Sequence, residues 1–98
     1  MSGKKFDQGK PPVTLLTKEF IFGTARALDY GTGKYGRDNY KAGMEWNRML
    51  DSTFRHLFAF AGKENIDSES ELCHLFHAAA CLNMLIYYYE TKTGTDDR

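Results

Sequence analysis

Ser68-Glu69-Ser70-Glu71-Leu72-Cys73-His74-Leu75-Phe76-His77-Ala78-Ala79-Ala80-Cys81-Leu82-Asn83-Met84-Leu85-Ile86-Tyr87-Tyr88-Tyr89 is the stretch on which the fold turns. Ser68-x-x-Glu71 fits a capping box, which predicts a helix beginning near Ser68 and running to about Tyr89. Leu72, Leu75/Phe76, Ala79, Leu82 and Ile86 recur at helical spacing and form one apolar stripe. The opposite side carries Ala78, Cys81, Leu85 and Tyr88, so the helix is apolar on both sides. Such a helix is either central in its fold or shared with another subunit. The run from Ala78 to Tyr89 contains Asn83 and is too short to span a membrane.

Working outward, a second helix is predicted from about Met44 to Phe60, with Trp46, Met49/Leu50, Thr53, Leu57 and Phe60 as its buried stripe and Gly62 as its end. A first helix is predicted from an N-cap at Thr17 to about Tyr30, with Ile21, Ala25 and Leu28 inward and Gly31 as its stop. Residues 31–40 read as a glycine-rich loop. No strand-like alternation of any length interrupts these segments. The expected fold is all-α, a small three-to-four-helix bundle that associates as a homo-oligomer. It is framed by an extended polar arm over residues 1–12, a single helical domain over 13–90, and a polar tail over 91–98 that frays.

The chain has 98 residues, enough for one core that buries somewhat more than ~60% of the unfolded surface. Thirteen basic residues balance 13 acidic ones, which argues against a general nucleic-acid-coating protein. The cysteines, Cys73 and Cys81, lie too far apart along one helix for a disulfide, and no signal peptide precedes them. Reduced thiols in a cytosol-like compartment follow.

Titratable chemistry concentrates in the second half, which holds Arg55-His56, the acids Asp67, Glu69 and Glu71, and then His74 and His77. Imidazoles beside carboxylates suit a divalent metal or a phosphate-cleaving site. On spacing alone a plainer account stands ahead: the acids cap a helix N-terminus and the histidines are hydrogen-bonded core or surface residues. A zinc site at Cys73, His77 and Cys81 would need a fourth ligand from elsewhere. Two glycine-lysine segments, residues 5–10 and 31–41, offer backbone N–H groups and charge to an anion, although neither is a P-loop. Tyr35 and Tyr40 offer a stacking surface for a base.

Taken in order, Lys5-Phe6-Asp7-x-Gly9-Lys10-Pro11-Pro12, Gly31-x-Gly33-Lys34-Tyr35-x-x-x-Asn39-Tyr40-x-x-Gly43, Arg55-His56, Asp67-x-Glu69-Ser70 and His74-x-x-His77-Ala78 resemble the phage-type dATP/dGTP diphosphohydrolase N-terminal family. The resemblance spans residues 5 to 86. It implies a small all-helical protein of the cytoplasm of a phage-infected host cell, linked to purine deoxynucleotides. On that resemblance, Lys10, Lys34, Tyr35, Asn39, Tyr40 and Arg55 are expected to meet the nucleotide and its phosphates. Asp67, Glu69, His74 and His77 are expected to hold a divalent metal, Mg²⁺ or Mn²⁺ rather than Zn²⁺. His56 and Glu69 are expected to carry the proton-transfer chemistry. The family usually has glycine where this chain has Glu71, and tryptophan where it has Tyr40. The paired E-x-x-E and E-x-x-D motifs of all-α nucleoside triphosphate pyrophosphatases are absent from the second and third predicted helices. Two functions are therefore expected from the sequence. One is metal-dependent hydrolysis of a purine nucleotide phosphoanhydride; the other is non-catalytic sequestration of a nucleotide or cyclic-nucleotide immune signal, an anti-defence role.

Overall fold

In the computed structural model, which describes residues 3–98, the chain forms three α-helices: α1 (Lys18–Tyr35), α2 (Trp46–Ala61) and α3 (His74–Thr91). The described residues contain no strand, only two isolated bridges. The all-α expectation therefore holds. α3 packs against both α1 and α2, which scarcely touch one another. The arrangement is a three-helix layer with α3 in the middle. Its radius of gyration of 16.1 Å exceeds the ~13 Å typical of a compact domain this long.

α3 is central for a reason opposite to the one its sequence suggests. Its buried residues are His74, Ala78, Ala80, Cys81 and Tyr88. Half of the predicted stripe faces outward, with Leu75 40%, Leu82 42% and Ile86 58% exposed, while Leu72, Phe76 and Ala79 are half-buried. Small side chains on the inward face let the flanking helices approach closely. On α1 the buried residues are likewise small: Gly23, Thr24 and Ala27. The expected Ile21 and Ala25 are exposed and Leu28 is half-buried. A Cβ on Gly23 would collide with the Phe76 ring, so this crossing requires glycine. Among the described residues Tyr88 is the one large side chain fully buried, and its hydroxyl donates to the Tyr40 carbonyl at 2.7 Å. That bond pins the short 3₁₀ turn Asn39–Ala42 to α3.

Two helix boundaries differ from expectation. Thr17 does cap α1, its Oγ1 accepting from the Phe20 N–H at 3.2 Å. Gly31, however, does not stop the helix, which runs on to Tyr35 and ends at Gly36 with φ +89. A glycine inside a helix costs only about 1 kcal/mol, and the added turn carries Lys34 to Glu69. α3 begins at His74, not near Ser68, with Cys73 in the N-cap position and no side-chain cap. Ser68 and Glu71 make no capping box because Asp67 competes for the local N–H groups. Its Oδ2 accepts from the Ser70 N–H at 2.9 Å and from Ser70 Oγ at 2.8 Å. The chain then reverses instead of winding. Asp67 N–H donates to the Leu72 carbonyl at 2.8 Å, and His74 N–H donates to the Asn65 carbonyl at 3.0 Å.

α2 matches its prediction closely, running from Trp46 to Ala61 with Gly62 after it, and it buries Trp46 and Thr53. Leu57 and Phe60 lie at its exposed margin. The tail does not fray, because it satisfies the start of this helix. Thr95 carbonyl accepts from Trp46 N–H at 2.9 Å, Thr93 carbonyl from Trp46 Nε1 at 2.8 Å, and Asp97 Oδ1 from Asn47 N–H at 2.9 Å. The arm is exposed over residues 3–12, and its first two residues lie outside the described ones.

The reversal between α2 and α3 holds Glu71 at φ +62, in the left-handed region, where the resembling family carries glycine. A side chain there costs roughly 1–2 kcal/mol, offset in part by the about 0.5–1 kcal/mol of chain entropy that glycine gives up on folding. Glu71→Gly is expected to stabilise the fold by about 0.5–1 kcal/mol. Its melting temperature should rise by roughly 2–8 °C. A melting temperature that stays level or falls would show that the Glu71 side chain compensates for its backbone.

Candidate functional site

The reversal over residues 62–73 is what assembles the site. It folds Glu64 and Asp67 back onto the first turn of α3, where His74 and His77 lie one above the other. α2 presents His56 to both. His56 Nδ1 lies 2.8 Å from His74 Nδ1. His74 Nε2 lies 2.6 Å from Glu64 Oε2. His77 Nε2 lies 2.6 Å from Ser70 Oγ, which also donates to Asp67. The His56 and His77 rings stack at 4.8 Å with 16° between their planes, and Tyr30 meets His77 edge-on at 6.0 Å. His74 is buried, while His56, His77 and Asp67 are half-buried.

Charge follows from this packing. Burial pushes the His56 imidazole below its ordinary value, and the neighbouring His77 and His74 push it the same way. Burial also lowers His77, against the opposing pull of the Asp67 carboxylate. For Asp67, burial acts to raise the carboxyl, but the two Ser70 hydrogen bonds and the adjacent imidazoles outweigh it, and the net shift is downward. Near neutral pH the Asp67 carboxylate thus faces neutral imidazoles at His56 and His77, and a neutral imidazole is the form that binds a metal or takes a proton.

A cavity of about 730 Å³ opens beside this cluster, between the end of α1, the 3₁₀ turn and α3. This volume lies in the range of small-molecule sites. Of the residues expected to meet a nucleotide, Lys34, Tyr35, Asn39 and Tyr40 line it. His56, Asp67, Glu69 and His77 line the same cavity. His74 sits behind that wall. Arg55 lies on the exposed side of α2 and Lys10 in the exposed arm, and neither lines the cavity. Tyr40 packs edge-on against Tyr87 at 5.8 Å.

Glu69 stands apart from the cluster it was expected to join. Its Oε1 takes Lys34 Nζ at 2.9 Å and the Tyr30 hydroxyl at 3.0 Å. The Lys34 bond, then the Tyr30 bond, holds its carboxyl below the ordinary range, while Glu69 in turn raises Lys34. Phosphate-binding and metal-binding expectations thus meet in one surface ion pair. Cys81 is buried against Ser52 at 3.3 Å and Cys73 is free, and no set with His77 forms. Two contributors were given no role by the sequence reading, Glu64 and Tyr30, and Ser70 entered it only within the Asp67-x-Glu69-Ser70 segment. Glu64-x-x-Asp67 has the E-x-x-D spacing, but in a loop rather than on a helix. Only the reversal at Asp67 brings both carboxylates onto the histidines.

These residues can be set beside known proteins. The family described as dATP/dGTP diphosphohydrolase, N-terminal, matches residues 1–98. A protein of Salmonella phage PMBT28 named dATP/dGTP diphosphohydrolase is 38% identical over 98 residues, covering 100% of this chain and 33% of that protein. The chain therefore spans about a third of the length of the curated relative it matches. No solved structure matches it. No helix among the described residues is long and apolar enough to cross a membrane. With the match running from its first residue to its last, the chain belongs to the dATP/dGTP diphosphohydrolase N-terminal family.

Proposed function

We propose that the cavity binds a purine deoxynucleoside triphosphate, and that the adjoining imidazole–carboxylate cluster supports metal-assisted cleavage of its α–β phosphoanhydride in the cytoplasm of a phage-infected cell. The observation that carries this reading is that Lys34, Tyr35, His56, Asp67 and His77 all line one cavity of nucleotide size. Lys34 would leave Glu69 for a phosphate oxygen, and Tyr35, 64% exposed, would lie against the base. A bound divalent ion would neutralise phosphate charge and polarise the phosphorus. Water adds to the α-phosphorus, the α–β P–O bond breaks with its electron pair on the departing pyrophosphate, and the water proton passes to an imidazole. That imidazole is His77 acting through Nδ1: its Nε2 donates to Ser70 Oγ, whose own proton goes to Asp67, so Nδ1 is the bare nitrogen of the neutral ring, while His56 Nδ1 is engaged with His74 at 2.8 Å.

One observation favours the second reading, in which the site holds a nucleotide or a nucleotide-derived signal without cutting it. Among the described residues the one metal-competent cluster holds a single acid, Asp67, and the other carboxylate beside it, Glu64, is taken up by His74 Nε2. Self-association accompanies either reading. Leu75, Ala79, Leu82, Ile86 and Tyr89 follow one another at the alternating four- and three-residue steps of a coiled-coil seam, yet they sit on the open face of α3. The seam has no charged residue, and the chain has zero net charge, so a second copy can approach without repulsion.

Incubation with dATP, dGTP and cyclic dinucleotides, with Mg²⁺ or Mn²⁺, followed by denaturation and nucleotide analysis, separates the two readings. Monophosphate with pyrophosphate is the expected outcome, lost in His74→Ala and in the less buried His56→Ala. Intact ligand released in stoichiometric amount only on denaturation would replace hydrolysis with sequestration. If neither occurs, both fail. The pH profile gives a further check. A proton acceptor must be neutral, and burial holds His77 below its ordinary 6.5. Activity should therefore persist as pH falls through 6.5 and decline only below it, and an acid limb of kcat/KM at or above 6.5 would count against His77. For the assembly, analytical ultracentrifugation should find an oligomer that Leu82→Glu shifts to monomer. A wild-type protein that stays monomeric across the concentration range would remove the seam's role.

A further inference from the structure

We infer that His56, Asp67 and His74 form a binding site for one divalent transition-metal ion, and that Glu64 is the positioning residue that orients His74 toward it. This deepens the hydrolysis reading, on which it rests for the use made of the ion; its own test needs no nucleotide.

The geometry begins with Glu64. An ionised carboxylate only accepts, so its 2.6 Å contact requires His74 Nε2 to carry the proton and donate. In the neutral ring that a metal requires, the other nitrogen, Nδ1, is then a bare lone pair facing His56 Nδ1, 2.8 Å away. With His74 in that form a proton on His56 Nδ1 bridges the gap, and an ion would take that proton's place. A carboxylate behind a ligating histidine fixes both tautomer and ring orientation, the usual support of a metal-bound imidazole. His74 is only 5% exposed and cannot turn away. Asp67 supplies the third donor: one atom from each of the three residues can be chosen so that all lie within 4.8 Å of one another. Ser70 occupies Asp67 Oδ2, and no hydrogen bond among the described residues reaches Oδ1.

The donor set sorts the ions. Two nitrogens bonded at about 2.1 Å lie roughly 3.0 Å apart at a right angle and roughly 3.4 Å apart at a tetrahedral one. The hydrogen-bonded pair, at 2.8 Å, would need to open only slightly to admit an ion, and the ligand chemistry decides which. Two imidazoles and one carboxylate on an octahedral ion leave open positions for water and phosphate oxygens, and imidazole favours Mn²⁺, Co²⁺ or Ni²⁺ over Mg²⁺. His77 is not a donor to this ion. Its ring lies nearly parallel to His56, so their in-plane lone pairs run side by side instead of converging, and its Nε2 is held by Ser70. Glu69 is held by Lys34 and Tyr30.

The test is calorimetric titration of the chelator-stripped chain with Mg²⁺, Mn²⁺, Co²⁺ and Ni²⁺ alone. One ion per chain is expected, with affinity rising in that order. Glu64→Gln should weaken binding by about 10–100-fold. His56→Ala and Asp67→Asn should abolish it, and Glu69→Gln should leave it unchanged. Circular dichroism confirms the fold of each variant, and because His74 is buried, the His56 and Asp67 variants carry the test. In a parallel ¹⁵N spectrum, diamagnetic Zn²⁺ used as a probe should shift the Nδ1 signals of His56 and His74. Any of three outcomes would overturn the site: no binding by the folded chain, full binding in His56→Ala or Asp67→Asn, or equal losses in Glu69→Gln and Glu64→Gln. Mg²⁺ binding as tightly as Mn²⁺ would overturn the ion class. Metal binding without nucleotide turnover would leave the site standing while the hydrolase reading falls.

Discussion

The 2.8 Å approach of His56 to His74 joins the C-terminal half of α2 to the first turn of α3. The arrangement around it serves that contact. Asp67 turns the chain by taking the N–H and hydroxyl of Ser70, and the reversal delivers Glu64 to the far nitrogen of His74. The start of α3 is fixed in consequence. It cannot begin at Ser68, because residues wound into a helix there would no longer reach back over His74. The strain of a left-handed Glu71 is part of the same turn.

The remaining architecture is thin by comparison. α3 contacts its neighbours through alanines, a glycine across from Phe76, a buried cysteine and a histidine, and only Tyr88 among large side chains is fully enclosed. Small inward residues bring helices close but bury little apolar area, and burial is the main stabilising term at about 25 cal/mol per Å². Hydrogen bonds compensate at the periphery. The Tyr88 hydroxyl anchors the 3₁₀ turn, and the tail supplies acceptors to the first N–H groups of α2. A tail of polar residues reads as disposable in sequence. Here it does the work of the side-chain cap that Glu45 does not provide.

What the sequence disclosed follows from which signals are local. Helical periodicity and the Thr17 cap are local, so the number and type of elements were legible. Which side of α3 turns inward was not, because both sides are apolar and the choice depends on the size of residues on α1 and α2. Gly31 looked like a stop because glycine often ends helices, yet a distant partner, Glu69, rewards the extra turn that carries Lys34. The histidines and Asp67 were legible as chemistry by residue type. Their grouping was not: a helix beginning at Ser68 would have placed Asp67 at its mouth as a cap and left Glu64 outside. Only the side-chain competition at Asp67, a matter of a few hydrogen bonds, decides between a capped helix and a folded loop.

The Lys34–Glu69 pair bears on how a neutral chain would serve the anionic ligand proposed for it. Both side chains are exposed, so solvent screens the ion pair and it contributes little. The triphosphate proposed as its ligand would bring several charges to the same ammonium, so displacing Glu69 would cost little. Before that exchange the carboxylate cancels the lysine's field, which weakens the cavity's attraction for singly charged anions. After such an exchange Glu69 would keep its hydrogen bond from Tyr30 near the cavity mouth. Discrimination by charge would then come from the competition between one carboxylate and the ligand for Lys34, not from the net charge of the chain.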